Sequence, residues 1–166
     1  MWRAAPMSPS PENTPVNPLP APRVGPPEAL DGPRLDEVIA AALAEDRGAG
    51  DVTSEGLLPA ASRARARLVA RDAGVLAGIG VFARTFELCD PQVDFTLAAQ
   101  DGERVEPDQE LAICVGAAAS LLLAERTALN LLQRMSGIAT ETARFVAAAA
   151  GQARILDTRK TTPGLR

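Results

Sequence analysis

The last ten residues, Asp157-Thr-Arg-Lys-Thr-Thr-Pro-Gly-Leu-Arg166, concentrate groups that hold anions. Arg159 and Lys160 stand side by side among the hydroxyls of Thr158, Thr161 and Thr162, and the loop backbone adds N–H donors. Such a set cradles phosphate or carboxylate through charge-assisted hydrogen bonds. Neighbouring side chains on extended backbone point to opposite sides. Arg159 and Lys160 are therefore placed to flank a ligand with more than one anionic group. Of 17 basic residues, Lys160 alone is a lysine. Either a compact ammonium is required where a flat guanidinium fork would not serve, or the one lysine falls here by chance. The residues alone leave both open.

A second candidate is Arg126, in the middle of LLLAERTALNLL. On a helix its neighbours are Leu122 and Asn130, not the adjacent Glu125. It can snorkel to water, pair within an interface, or project into a site, across a subunit boundary included. Spacing does not choose among these.

Other chemistries are excluded. The chain has no histidine, and its two cysteines, Cys89 and Cys114, lie far apart, which leaves no zinc site of the usual kinds. Both are read as small buried apolar residues in a reducing compartment. Net charge is −4 and the pI near 4.9, so a broadly basic nucleic-acid surface is ruled out. No apolar run reaches the ~20 residues that cross a bilayer. The glycines of GVLAGIG, residues 74–80, lack both the GxGxxG spacing and the following Lys-Ser/Thr of a phosphate loop. The DGERVEPDQELAICVG stretch has a carrier-hairpin rhythm but no lysine at a tip, so no carrier role follows.

The elements that must position these residues are legible by period. Residues 1–32, with nine prolines between Pro6 and Pro27, are expected to be a disordered tail. Leu35, Val38, Ile39, Ala42 and Leu43 form one stripe of a helix over 33–46, capped by Asp31 or Gly32 and ended by Gly48. A Gly-rich loop covers 45–59. Arg63–Arg71 alternates as a strand, and its arginine row reads as a solvated face. A short strand then leads to a helix near 79–89 that buries Phe82 and Phe86. Val93, Phe95 and Leu97 mark another strand, and Asp101-Gly102 and Pro107-Asp108 turns join two more. A helix over 117–134 carries the stripe Leu121, Ala124, Ala128, Leu132 and Met135, with Arg126, Asn130 and Gln133 on another side. Ser136-Gly137 is expected to interrupt it, Thr140 to cap a second helix through Ala150, and Gly151 to end that one. Residues 154–157 read as a strand feeding the terminal loop, the place where βα architectures bind ligands. The sum is an α/β (α+β) chain, with a mixed sheet of about four strands and helices on one face.

Four segments in order, EDRGAGDVTS (45–54), DGERV (101–105), AERTALNLLQRMSGIATETARFV (124–146) and ILDTRKTTPGLR (155–166), resemble quinolinate phosphoribosyltransferase, also called nicotinate-nucleotide pyrophosphorylase (carboxylating). The resemblance covers residues 33–166. It implies an N-terminal open α/β sandwich domain followed by an α/β barrel. It divides the chain into a tail (1–32), a sandwich domain with its linker helix (33–134) and the start of the barrel (135–166). It also implies an enzyme that moves a phosphoribosyl group from phosphoribosyl pyrophosphate to the ring nitrogen of quinolinate, releasing pyrophosphate and CO2 and yielding nicotinate mononucleotide in NAD biosynthesis. Mg2+ accompanies phosphoribosyl pyrophosphate, with no metal ligand in this chain. The family setting is cytoplasmic, without nucleic acid or membrane partners. A homodimer is implied in which Arg126 reaches the partner's site. Thr158, Arg159 and Lys160 bind substrates, and Lys160 is the catalytic residue. Sister phosphoribosyltransferases of the same fold (nicotinate phosphoribosyltransferase, the molybdenum-operon homologue) and a non-enzymatic dimerisation module are the alternatives.

Because the later barrel strands of the family are absent, the chain is expected to be a truncated, inactive fragment. In a full-length protein, Lys160→Ala should abolish most turnover and leave folding intact. Loss of the folded circular-dichroism signal would instead make Lys160 structural.

Overall fold

The structure, a computed structural model, describes residues 33–48, 59 and 61–162. The tail, the caps expected at Asp31 or Gly32, most of the Gly-rich loop and Pro163–Arg166 lie outside the described residues. In chain order the elements are α1 (Pro33–Arg47), β1 (Arg63–Val69), β2 (Gly74–Val75), α2 (Ile79–Cys89), β3 (Asp94–Leu97), β4 (Arg104–Val105), β5 (Glu110–Ala117) and α3 (Ala118–Ala149).

Among the described residues β5 is the centre of a three-stranded sheet ordered β1-β5-β3, and β2 pairs with β4 in a separate two-stranded ribbon. Every pairing is antiparallel. This corrects the expected mixed sheet of about four strands. The connections are turns and one short helix, and parallel neighbours in a sheet need a long crossover. β5 alternates inward Ala112, Cys114 and Gly116 with the half-buried Ile113 and Val115. Gly116 is required there: a Cβ would come within 2.9 Å of the Val93 side chain.

One core joins sheet and helices. Phe82 and Phe86 on α2 lie 5.0 Å apart, centroid to centroid, in a tilted pair, and meet Phe95 on β3 edge-on at 6.4 and 5.5 Å, arrangements that aromatic quadrupoles favour. Leu121, Ala124, Ala128 and Leu132, the expected stripe of α3, close the core from the other side. Helices thus pack on a sheet, as in the α/β class expected from the periodicity.

α3 runs unbroken for 32 residues, about 48 Å at 1.5 Å per residue. The expected interruption at Ser136-Gly137 does not occur. A helical glycine costs only about 1 kcal/mol relative to alanine, and the hydroxyls nearby have other partners. The backbone N–H of Val75 donates to Thr140 Oγ1 at 2.9 Å, and that of Ala77 to Ser136 Oγ at 3.1 Å. Ser136 Oγ donates back to Ala77 O at 3.2 Å. Thr140, expected as a cap, instead donates to Ser136 O within the helix. The spacing explains the fit. Four helical residues rise ~6 Å and two strand residues ~6.6 Å, so hydroxyls at i and i+4 meet alternate amides of one strand edge. The other edge is read by the ribbon, where Leu76 N–H donates to Glu103 O and Gly102 N–H to Leu76 O.

The N-terminus of α2 is closed from outside its own sequence. Gly78, at φ +93°, carries no capping side chain, and Asp101 Oδ1 accepts from Ile79 N–H at 2.9 Å. A carboxylate at that end also favours the helix dipole.

The expected strand at 154–157 is absent. Residues 154–157 are coil, with Leu156 73% exposed. A strand persists only when its backbone groups find ladder partners, and no other described strand runs beside this segment.

Two outcomes follow for stability. Thr140→Val keeps the volume but leaves the Val75 amide without an acceptor, and should cost about 1–2 kcal/mol in urea denaturation. Thr140→Ser should recover most of that. Cys114, 2% exposed, has its thiol pushed up from 9.0 to about 11 by burial. The folded state keeps its proton after the unfolded state has lost it, so this stability is complete below pH 9 and is lost as pH rises towards 11. The unfolding free energy from urea denaturation should fall over that window by up to roughly 2 kcal/mol, and Cys114→Ala should flatten the slope.

Candidate anion-binding site

α3 carries Arg126, and its inward stripe is used by the core. The residues offset from that stripe must face outwards. Arg126, Asn130 and Gln133 recur at i, i+4 and i+7 on this outer side, and all three are exposed. Asn130 and Gln133 begin a shallow concavity that continues along α3 to Phe145.

Arg126 is 74% exposed by side chain and donates through Nη1 to Asp46 Oδ1 at 3.0 Å. Asp46 lies in the last turn of α1. α1 is pinned at its opposite end by a two-pronged bond: Arg84 Nε and Nη2 each reach an Asp36 carboxylate oxygen at 2.8 Å. The bonded Arg84 guanidinium holds the Asp36 carboxyl below the usual range, and the carboxylates of Asp36 and Glu87 in turn hold Arg84 more firmly protonated. Between the two pairs Ile39 is fully buried.

The terminal segment leaves α3 through Ala150 and Gly151, both left-handed, at φ +47° and +76°. The turn sends the chain away from the helix axis, yet Thr162 Oγ1 accepts from Arg134 Nη2. The stretch from 151 to 162 is exposed throughout. Thr158 Oγ1 accepts from Lys160 N–H at 3.3 Å, a local turn. No hydrogen bond or ion pair among the described residues engages the side chains of Arg159 or Lys160. The structure therefore brings Thr162 to α3, and sets Thr158, Arg159 and Lys160 in solvent. Among the described residues no contact joins them to Arg126.

Reading the sequence missed three partners. Asp46 sits 80 residues from Arg126, and no local pattern links them. Arg134 is spaced eight residues from Arg126, near enough to the same side of a 3.6-residue period to have been suspected. The Ser136/Thr140 pair had a signal, two hydroxyls four apart on a helix, which was read as an interruption and a cap.

Both cysteines are free thiols; Cys114 is buried as expected, whereas Cys89 is half-buried with its thiol raised, chiefly by burial. Among the described residues no three of His, Cys, Asp and Glu converge as a metal site. No described helix is long and apolar enough to cross a membrane.

Comparison with known proteins places this geometry in context. A family profile described as "Quinolinate phosphoribosyl transferase, N-terminal domain" matches residues 51–136, and the corresponding C-terminal domain matches residues 138–166. A probable nicotinate-nucleotide pyrophosphorylase (carboxylating) of Synechocystis is 47% identical over 125 residues, which are 75% of this chain and 42% of that protein. Quinolinate phosphoribosyltransferase (decarboxylating) 1 of Nicotiana glauca is 42% identical over 133 residues, 80% of this chain and 38% of the other. Among solved structures, NadC from Streptococcus pyogenes superposes with a TM-score of 0.78 at 39% identity, covering 82% of this chain and 50% of that one. The chain thus spans about two-fifths of the length of these curated relatives. With both family domains matched in sequence order along it, this chain belongs to the quinolinate phosphoribosyltransferase family.

Proposed function

We propose that the chain serves phosphoribosyl transfer from phosphoribosyl pyrophosphate to quinolinate, giving nicotinate mononucleotide, pyrophosphate and CO2 in NAD biosynthesis. Residues 33–134 are its N-terminal domain with the linker helix, and residues 135–166 open the catalytic barrel. The observation that carries the reading is the DTRKTT segment, exposed and, among the described residues, free of competing side-chain partners for Arg159 and Lys160, inside the span that matches the family's C-terminal domain.

The chemistry suits these groups. The ring nitrogen attacks the ribose carbon as the bond to pyrophosphate breaks, and positive charge develops at that carbon. The carboxyl group next to the nitrogen then leaves as CO2, and its electron pair, stabilised by the cationic ring, takes a proton. Preformed cations that hold both anionic substrates in place lower the cost of this crowding of charge. Lys160 and Arg159 flank the substrates, Thr158 supplies a hydroxyl, and Arg126 clamps a substrate carboxylate with the two-pronged geometry that guanidinium allows. Arg126 does so in the partner's site of a homodimer, and the setting is cytoplasmic.

Magnesium enters with the pyrophosphate of the substrate. The described residues do not form a site for it, since no set of carboxylates converges. The roles above therefore rest on side chains alone.

The test fuses residues 1–166 to the residues that follow in the Synechocystis relative. Nicotinate mononucleotide and labelled CO2 are then measured with quinolinate, phosphoribosyl pyrophosphate and Mg2+. Turnover is expected, and Arg159→Ala should reduce it at least tenfold. Product from nicotinate without CO2 release, or no turnover from a folded fusion, would overturn the assignment.

A further inference from the structure

We infer that Asp46 is the positioning residue for Arg126: it turns the guanidinium so that its remaining edge is presented to a substrate carboxylate. The inference rests on the function proposed above.

The geometry begins with what is absent from α3. At the helical positions that face Arg126, residues 122 and 130 are leucine and asparagine, and residues 123 and 129 are leucines. α3 offers Arg126 no carboxylate of its own. The one that meets it is imported from α1, 80 positions earlier. Of the two partners Asp46 is the fixed one, at 25% exposure against 74% for Arg126. α1 is anchored by buried Ile39 and by the two-pronged Asp36–Arg84 pair. It ends one residue beyond Asp46, at Arg47, and the following Gly48 is left-handed with its N–H donating to Ala44 O.

The contact uses one corner of the guanidinium. Nη1 donates to Asp46, and no other hydrogen bond of Arg126 occurs among the described residues. The Nε–Nη2 edge stays available. That edge carries two parallel N–H groups, the arrangement a carboxylate accepts side-on. A long side chain left free would lose rotamer freedom on gripping the ligand. Asp46 removes part of that freedom beforehand, which is preorganisation.

Asp46 is also poorly placed for helix stability. A carboxylate in the last turn of a helix faces the negative end of the macrodipole. The exposed pair returns little stability. A position that costs the helix locally and gains little globally is better explained by what it does to Arg126.

The test has two arms. In the 166-residue chain, nitrogen-15 relaxation of the Arg126 Nε–H group should show a restricted side chain that Asp46→Asn releases. The circular-dichroism spectrum and urea midpoint should stay as in the unsubstituted chain. In the active fusion, Asp46→Asn should raise the quinolinate KM about three- to fivefold, with the phosphoribosyl pyrophosphate KM and kcat little changed. Asp46→Glu should restore part of the affinity. Equal Arg126 mobility in both chains overturns the inference. So does a quinolinate KM that is unmoved, or one that falls, since a fall would mean that Asp46 competes with the substrate. A fusion without turnover would overturn the proposed function and the substrate half of this inference together. The relaxation arm decides the Asp46–Arg126 pairing in that case too.

Discussion

Two side-chain hydroxyls on α3 do the work of a missing strand, and the placement of everything else follows from them. The segment from Val75 to Ala77 has the β4 ribbon on one edge and helix on the other. A helix normally presents no free backbone groups to a neighbouring strand, so that edge would be left unpaired at a cost of a few kcal/mol. Thr140 and Ser136 meet it instead, at 2.9 and 3.1 Å. Their bonds fix the translation of α3 along its own axis as well as its distance from the ribbon. Arg126 lies on the same rigid rod, ten residues before Ser136, and the terminal segment departs from its far end. A slip of α3 by one turn would break both hydroxyl contacts and bury the wrong stripe. The pair therefore sets a common frame for cations that are far apart in sequence.

Electrostatics are handled differently in frame and site. Several charges of the frame are matched within it: Arg84 with Asp36 and Glu87, and Arg67 with Glu110. Asp90 accepts from Ser120 Oγ and Gln92 N–H, and these bonds hold its carboxyl below the usual range. No buried side-chain polar atom among the described residues lacks a partner. Arg159 and Lys160 have no such match among the described residues, in common with Arg63, Arg65, Arg71, Arg104 and Arg154, and Arg126 is matched through one corner only.

Much of this could be read from residue order, and the failures share a cause. The stripes of α1, α2 and the first half of α3 are set by which residues are apolar, and the packing agreed with the pattern. The strand expected over Arg63–Arg71 formed as β1, with Leu68 inward, although Ala66 of its inward set is exposed. Ser136-Gly137 misled because a helix-breaking pair was weighed by local propensity alone. A tertiary bond from each hydroxyl, together with the small cost of one glycine, outweighs that propensity. Residues 154–157 misled in the opposite sense. Ile155 and Leu156 suit a strand, but strand formation is a property of neighbours. The candidate site rests on chemistry that residue order does show, the types of residue at 126 and 158–160. Its supporting contacts, Asp46 above all, were not legible, because a pairing across 80 residues leaves no periodic trace.

The bond from Ile79 N–H to Asp101 has a bearing on where phosphates go. The glycine-rich run before α2 has the look of a nucleotide-gripping turn, and a helix start is ordinarily an attractive perch for such groups. Here that perch is taken by the protein's own carboxylate at 2.9 Å. An incoming phosphate would have to displace a tethered anion and tolerate its repulsion. Phosphate groups are thereby kept from the start of α2, whereas the exposed side chains of Arg159 and Lys160 beyond α3 face no such tethered carboxylate among the described residues.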